Sequence, residues 1–149
     1  MMRFVVDSNV LFTFFWKGSV FKKICTEQDC MLFTPEFALE GINKHHVQLL
    51  KKTGISRSEF KELLKELAAR VEFMPLANYG PAIKKVKKLS GYFRSEDRSE
   101  FLEDLDFFAL ALHLGLPIWS NDKLLKKQPE VIALSTKEII ELVDAQPIE

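Results

Sequence analysis

The stretch EDLDFFALALHLGLPIWSND, residues 103–122, joins a helical pattern to a strand pattern and has carboxylates at both ends. Its apolar residues recur at helical spacing through Leu114, and the short run LPIWS that follows is typical of a buried strand. A helix that leads into a buried strand is a unit of an α/β protein. Asp104 and Asp122 flank this unit, although aspartate is rarely used for apolar packing. The stretch therefore predicts an α/β fold and raises the question of what its acids do.

The same alternation of strand and helix patterns extends along the whole chain. Five short apolar runs indicate buried strands: RFVVD, CMLFT, VEFMP, LPIWS and VIAL. Segments with helical spacing lie at residues 18–27, 35–52, 57–70, 81–93, 99–114 and 136–143. Because right-handed crossovers place helices above and below a parallel sheet, the pattern predicts a parallel sheet of about five strands covered on both faces.

Composition indicates one globular domain, residues 1–149. The chain is 47% hydrophobic and has thirteen Phe, which is enough to fill a single core. Cys25 and Cys30 lack the spacing of a zinc or CxxC motif, so we expect free thiols. The apolar stretch at residues 4–16 is interrupted by polar residues and too short to cross a bilayer. We expect a cytoplasmic protein with no membrane segment.

Charge is balanced over the chain but unevenly distributed along it. The formal net charge is zero, which argues against a protein that coats nucleic acid generically. Residues 51–98 contain twelve Lys and Arg against six Asp and Glu, so the middle of the chain has a net charge of +6. The acidic excess therefore lies toward the two ends.

Acids from distant parts of the chain follow the predicted strands. Asp7 comes after the first strand, Glu40 lies on the helix after the second, and Asp122 follows the fourth, while Asp104 opens the helix that leads into the fourth. Ligands of such sheets bind at the carboxyl ends of the strands. At about 100° per residue, Asp104 and Glu40 border apolar stripes, whereas Asp106 lies roughly 200° from Asp104. The first four acids can therefore meet at one edge.

Each acid also has a structural explanation. Asp104 could be a helix N-cap, and Asp122 could cap the short KLLKK helix, because aspartate accepts hydrogen bonds from free amides there. Asp7 is harder to explain in this way, because an unpaired carboxylate beside a buried strand is strongly desolvated. Two carboxylates about 4 Å apart repel by roughly 4 kcal/mol at an effective dielectric of 20. A bound divalent cation removes that repulsion, and an all-oxygen ligand set suits Mg²⁺ or Mn²⁺.

Three segments together carry a resemblance to a known family. FVVDSNVL, TPEFALEGINKH and EDLDFFALALHLGLPIWSND resemble the PIN-domain ribonucleases, which include the VapC toxins of toxin–antitoxin pairs. The match lies in Asp7 after the first strand, Glu40 five residues beyond Pro35, Asp104 eleven residues before Gly115, and Asp122 in SND. The resemblance covers nearly the whole chain and implies a three-layer α/β/α sandwich with a central parallel sheet.

The resemblance also implies the residues of the site. Asp7, Glu40, Asp104 and Asp122 would form an acidic pocket for one or two Mg²⁺ or Mn²⁺ ions, with Glu40 either a ligand or the base for the attacking water. Ser120 would order the last acid by hydrogen bonding. Asn9 and Asn121 would support the acids or contact phosphate. The segment RSEDRSEFLE offers further acids, so Glu100, Glu103 or Asp106 could replace Asp104.

The implied reaction is hydrolysis of a phosphodiester bond by water that a carboxylate-held cation activates. Single-stranded or structured RNA is the expected substrate. Phosphate contacts could come from five residues of the basic segment, beside Tyr92 and Phe93: Lys84, Lys85, Lys87, Lys88 and Arg94. A solvated helix face explains these lysines equally well. Toxin-type relatives imply a homodimer and an antitoxin protein as partners.

Two other functions compete with this hypothesis. A metal-dependent phosphatase of the haloacid dehalogenase class also has an aspartate after its first strand, but it needs a second acid where this chain has Asn9. The other competitor is a non-catalytic module whose acidic pocket binds a basic partner or a cation. Metal-dependent turnover distinguishes the nuclease from this module.

Overall fold

A central parallel sheet organises the molecule. The computed structural model describes residues 1–145. Its strands are β1 (Met2–Val6), β2 (Cys30–Pro35), β3 (Val71–Met74), β4 (Ile118–Trp119) and β5 (Ala133–Leu134). They lie in the order β3-β2-β1-β4-β5, and every neighbouring pair is parallel. The expected α/β fold and all five expected strands are confirmed.

The α-helices connect the strands and cover the sheet. Those before β3 are α1 (Ser8–Phe12), α2 (Val20–Glu27), α3 (Phe37–Lys44), α4 (His46–Thr53) and α5 (Arg57–Arg70). Those after it are α6 (Leu76–Tyr79), α7 (Ile83–Lys87), α8 (Ser95–Glu103), α9 (Leu105–Leu114) and α10 (Thr136–Asp144). Short 3₁₀ helices lie at Thr13–Phe15, Gly80–Ala82, Lys88–Tyr92 and Lys123–Lys127. No helix among residues 1–145 is both long and apolar enough to cross a membrane.

The centre of the sheet is the most deeply buried part of the molecule. Val5 and Val6 of β1 are fully buried, as parallel strands covered on both faces require. On the neighbouring strand, Trp119 packs edge to face against Phe4 and Phe21, with ring centroids 5.8 and 4.9 Å away. The carboxyl end of β1 is therefore held rigidly, and so is the residue that follows it.

Two of the expected helices are each divided into two. The segment expected at 35–52 breaks at His45 into α3 and α4, and the segment expected at 99–114 breaks at Asp104 into α8 and α9. Asp104 has φ −96° and ψ 9°. Phe101 and Phe108 on either side of this break are fully buried, with ring centroids 4.8 Å apart. The break therefore lets both helices direct an aromatic side chain into one cluster.

The other differences are small. The helix expected at 81–93 changes to a 3₁₀ helix after Lys87. The short helices α1 and α6 were not expected, because five and four residues are too few for an apolar period to show. Cys25 and Cys30 are free thiols, as expected.

Candidate active site

Asp7 lies where β1 ends and α1 begins, at the carboxyl edge of the sheet. Its residue is only 5% exposed. Its Oδ1 accepts a hydrogen bond from the backbone N–H of Val10 at 2.9 Å, so the side chain caps α1. Burial raises the pKa of the Asp7 carboxyl, and the charge of Asp122 raises it further, while the hydrogen bond from Ser120 lowers it. The buried carboxyl is thus held in place mainly by neutral donors.

Ser120 links two of the acids. It is 1% exposed and follows β4, which pairs with β1. Its Oγ accepts from the backbone N–H of Asp122 at 3.1 Å, and its hydroxyl is close enough to Asp7 to lower the pKa of that carboxyl. Ser120 therefore lies near both Asp7 and Asp122.

Asp122 begins the 3₁₀ helix Lys123–Lys127. Its Oδ1 accepts from the N–H of Leu124 at 2.9 Å, so it is a cap, as one explanation of the sequence proposed. Lys127 Nζ lies 3.3 Å from Asp97 Oδ2 and ties this 3₁₀ helix to α8. One carboxylate oxygen of Asp122 therefore accepts a backbone hydrogen bond. The 3₁₀ helix that Asp122 begins is held beside α8, the helix that precedes Asp104.

Asp104 differs from Asp7 and Asp122 because its side chain does not cap a helix. It stands between α8 and α9, half-buried, and its carboxylate makes no capping hydrogen bond. Burial and then the charges of Asp7 and Asp122 raise the pKa of Asp104 to about 7, with smaller contributions from Glu100 and Glu103. The three aspartates thus meet at one edge, and the N-cap explanation does not account for the Asp104 side chain.

Glu100 is a fourth acid that the structure brings to this group. It lies on α8, one helical turn before Asp104, and its side chain is near that of Asp122. The charge of Asp122 is the largest cause that raises the pKa of Glu100. The spacing of four residues between Glu100 and Asp104 was the available signal, since residues i and i+4 share a helix face. Sequence reasoning considered Glu100 only as a replacement for Asp104.

Glu40 is exposed on α3. Its charge is not among those that raise the pKa of Asp7, Asp104 or Glu100. Of the other acids near Asp104, Glu103 is exposed, and Asp106 accepts a hydrogen bond from the hydroxyl of Tyr79 at 2.7 Å. Asp106 is therefore committed to a different partner.

The two asparagines expected to support the site have different environments. Asn121 Oδ1 accepts from the backbone N–H of Thr136 at 2.8 Å, at the first turn of α10. The side chain of Asn9 is exposed, and its backbone N–H is hydrogen-bonded to Asp7. Asn121 thus fastens the loop that follows β4, and Asn9 reaches Asp7 through its backbone.

The basic residues of the middle segment form an exposed face. Val86 and Leu89 are buried, while five basic residues point to solvent: Lys84, Lys85, Lys87, Lys88 and Arg94. Within residues 1–145 none of the five forms a salt bridge, and Tyr92 beside them is 58% exposed. These charges are available to a polyanion.

A cavity of about 550 Å³ lies at the opposite edge of the sheet, where β2 and β3 begin. Cys30, Arg70 and Glu72 are among the residues that line it, and none of the expected site residues does. The candidate site therefore lies at the carboxyl edge of the sheet and not at this cavity.

The donor set at the carboxyl edge fits a hard divalent cation. Carboxylate and hydroxyl oxygens are the ligands that Mg²⁺ and Mn²⁺ prefer, and His and Cys are absent from the group formed by Asp7, Asp104, Asp122, Glu100 and Ser120. In the part of the chain that the structure describes, no three acids, histidines or cysteines are already arranged around a point that could hold a metal.

The fold and the acidic edge define an α/β protein with carboxylates at the ends of its strands, and comparison with known proteins agrees with the fold. The family model of the PIN domain matches residues 5–139. The chain therefore belongs to the PIN-domain family, as its sequence motifs predicted, and this family consists in general of metal-dependent nucleases. No curated protein sequence matches the chain significantly.

Proposed function

We propose that this protein is a Mg²⁺- or Mn²⁺-dependent endoribonuclease that hydrolyses phosphodiester bonds of single-stranded or structured RNA. The observation that carries the proposal is Asp104, whose half-buried carboxylate has no capping partner and faces the charges of Asp7 and Asp122. Such an arrangement destabilises the fold unless a cation enters it. Family membership supports the nuclease class.

Each acid has a role in this proposal. Asp7, Asp104 and Asp122 hold one or two cations. Ser120 helps to position Asp7 and Asp122. When bound, the cation polarises the scissile phosphate and lowers the pKa of a coordinated water. Glu100 or Glu40 orients the attacking water and accepts its proton. Contact with Asp122 favours Glu100, while the family pattern favours Glu40.

A single RNA strand fits the distances between the acids and the basic residues. Arg94 precedes Asp104 by ten residues, which is about 15 Å along a helix and a span of a few nucleotides. The lysines of α7 lie on a helix that packs against α9, the helix that Asp104 precedes. Phosphate contacts from these lysines, with stacking on Tyr92, suit flexible RNA better than a duplex.

The first experiment is cleavage of a labelled single-stranded RNA with Mn²⁺, Mg²⁺ or EDTA. We expect metal-dependent cleavage that Asp7→Asn and Asp104→Asn each reduce by about 100-fold or more. Asp144→Asn on α10 is the matched control, because that aspartate is exposed and distant in sequence. A folded wild-type protein that binds Mn²⁺ but cleaves no RNA would instead support the non-catalytic binding module.

The fourth acid is tested by comparing Glu40→Gln with Glu100→Gln in the same assay. If Glu100 orients the water, its substitution lowers kcat by about 10- to 100-fold while Glu40→Gln stays within about threefold. The opposite ranking assigns the role to Glu40.

The substrate face is tested by changing the four lysines at positions 84, 85, 87 and 88 to glutamine. We expect KM for RNA to rise about tenfold with kcat little changed, and the salt dependence of KM to become shallower. The control changes four exposed lysines elsewhere, namely Lys23, Lys61, Lys65 and Lys137. Equal effects of the two sets would show that the α7 lysines are only a solvated face.

We extend the proposal to a toxin of the VapC type, acting as a homodimer with an antitoxin partner. Membership of the PIN-domain family is its support. Growth arrest on expression of the wild-type chain, but not of Asp7→Asn, would support the toxin role. Light scattering of the purified protein would test the dimer.

A further inference from the structure

The three aspartates at the carboxyl edge are oriented in different ways. Asp7 and Asp122 each have a carboxylate oxygen fixed by a backbone N–H, at 2.9 Å in both cases. Asp104 has no such bond on its side chain. Its orientation must therefore come from its backbone, at the junction of α8 and α9.

That junction is fastened by the first turn of α9. The backbone N–H groups of Phe107 and Phe108 donate to the carbonyl oxygen of Asp104 at 3.1 and 3.3 Å. Between them and Asp104 lies Asp106, whose Oδ2 accepts from the Tyr79 hydroxyl at 2.7 Å. Among the described residues, this is the one side-chain hydrogen bond made to the turn from another element.

Tyr79 is well placed to act as an anchor. It ends α6, it is 2% exposed, and α6 packs against α9. Burial raises the pKa of Tyr79, and the hydrogen bond and charge of Asp106 raise it further, so the hydroxyl keeps its proton and remains a donor. The buried ring fixes the position of the oxygen, and the oxygen fixes Asp106.

We propose that Tyr79 is a positioning residue of the acidic site: its hydrogen bond to Asp106 holds the first turn of α9, and through that turn it sets where Asp104 presents its carboxylate. The inference rests on the proposed function, because it concerns cation binding at that site.

The test compares Tyr79→Phe, Asp106→Ala and Asp106→Asn with wild type. Calorimetry gives the Kd for Mn²⁺, and RNA cleavage gives kcat and KM. We expect Tyr79→Phe and Asp106→Ala to raise the Kd for Mn²⁺ about tenfold, as loss of a group that orients a metal ligand does, and to lower kcat while KM for RNA stays within about twofold. Asp106→Asn keeps an acceptor oxygen and should stay within about threefold of wild type. Asp144→Ala, at an exposed aspartate of α10, is the control.

A purely structural role of Tyr79 gives a different result. In that case Tyr79→Phe lowers the Tm but leaves the Kd for Mn²⁺ and kcat within about twofold, which overturns the inference while the nuclease proposal stands. The inference is also overturned if Asp106→Asn changes the Kd for Mn²⁺ and kcat as much as Asp106→Ala does. In that case the charge of Asp106 would matter and its hydrogen bond to Tyr79 would not. A wild-type protein that neither binds Mn²⁺ nor cleaves RNA would remove the proposed function and this inference together.

Discussion

Two acids of this chain, Glu138 and Asp104, lie in opposite environments. Glu138 accepts from the backbone N–H of Ser135 in a capping box and is paired with Lys126. The hydrogen bond from Lys126 is the main cause that lowers the pKa of Glu138 to about 2. Burial and neighbouring acids raise the pKa of Asp104 to about 7. Glu138 is provided with donors by the fold, whereas Asp104 has no salt-bridge partner among the described residues.

This difference separates acids that are paired within the fold from acids that face other acids. Asp97, paired with Lys127, resembles Glu138 in this respect. At the carboxyl edge, by contrast, Asp7, Asp104 and Asp122 face one another. Groups with strongly perturbed pKa values cluster at functional sites, which agrees with the nuclease class of the family. Each of the following predictions tests the contrast.

The largest expected effect is on cleavage. Asp122→Asn should reduce RNA cleavage by about 100-fold or more, because it removes a negative charge that faces Asp104 and holds the cation. Glu138→Gln should leave the rate within about twofold, because its partners are Lys126 and the start of α10. Initial rates with saturating Mn²⁺ provide the comparison. Similar losses in both variants would contradict the separation of the two classes of acid.

An intermediate effect is expected on the pH dependence of stability without metal. The pKa of Asp104 is about 7 in the native state and 3.8 for an ordinary aspartate. The native state therefore binds more protons between these two pH values, and the free energy of unfolding falls as pH rises through this window. A shift of this size is about 4 kcal/mol for a fully buried group, and solvent screening of the half-exposed carboxyl reduces it to about 1–2 kcal/mol. The Tm should fall by about 3–6 °C from pH 5 to pH 8.

The control for this prediction is Asp104→Asn. Its Tm in the absence of metal should depend less on pH, and at pH 8 it should exceed that of wild type. Glu138 does not contribute to the change of Tm with pH in this range. Its pKa is lowered in the native state, so it is ionised in both the native and the unfolded state above pH 5. A wild-type Tm that rises from pH 5 to pH 8 would show that Asp104 is not held in an unfavourable charge environment.

The smallest expected effect concerns the paired region. Ser135→Ala removes the N-cap of α10 and should cost about 1 kcal/mol, or about 2–4 °C in Tm. Mn²⁺ affinity and the cleavage rate should not change, because α10 contributes no acid to the carboxyl edge. Thermal denaturation and calorimetry measure the two properties separately. A large loss of Mn²⁺ affinity would show that the two regions are coupled.

Local signals explain which parts of the fold were predictable from sequence. The helix expected at 57–70 matches α5, which starts at the capping box of Ser56 and Glu59. The five strands were predictable because each is a short apolar run between helical segments. The break at Asp104 agrees with the alternative that this residue opens a helix. The single helix expected at 99–114 ran across it, because the apolar period continues and does not show the packing of Phe101 with Phe108.

The candidate site was predictable as an edge of the sheet but not as a set of contacts. Asp7 and Asp122 follow directly after strands, so topology alone brings them together. The contact between Glu100 and Asp122 depends on how α8 lies against the 3₁₀ helix after β4, which the Lys127–Asp97 pair helps to fix. The exposure of Glu40 depends likewise on the orientation of α3, which sequence spacing does not determine.

The most direct test is calorimetric titration of Mn²⁺ into the folded wild-type protein and into Asp104→Asn at pH 7.5, with Asp144→Asn as the control. The account predicts saturable binding of one or two Mn²⁺ ions by wild type and by the control. It predicts binding at least tenfold weaker in Asp104→Asn. Absence of binding to wild type, or an unchanged Kd in Asp104→Asn, would contradict the claim that these acids form a cation site.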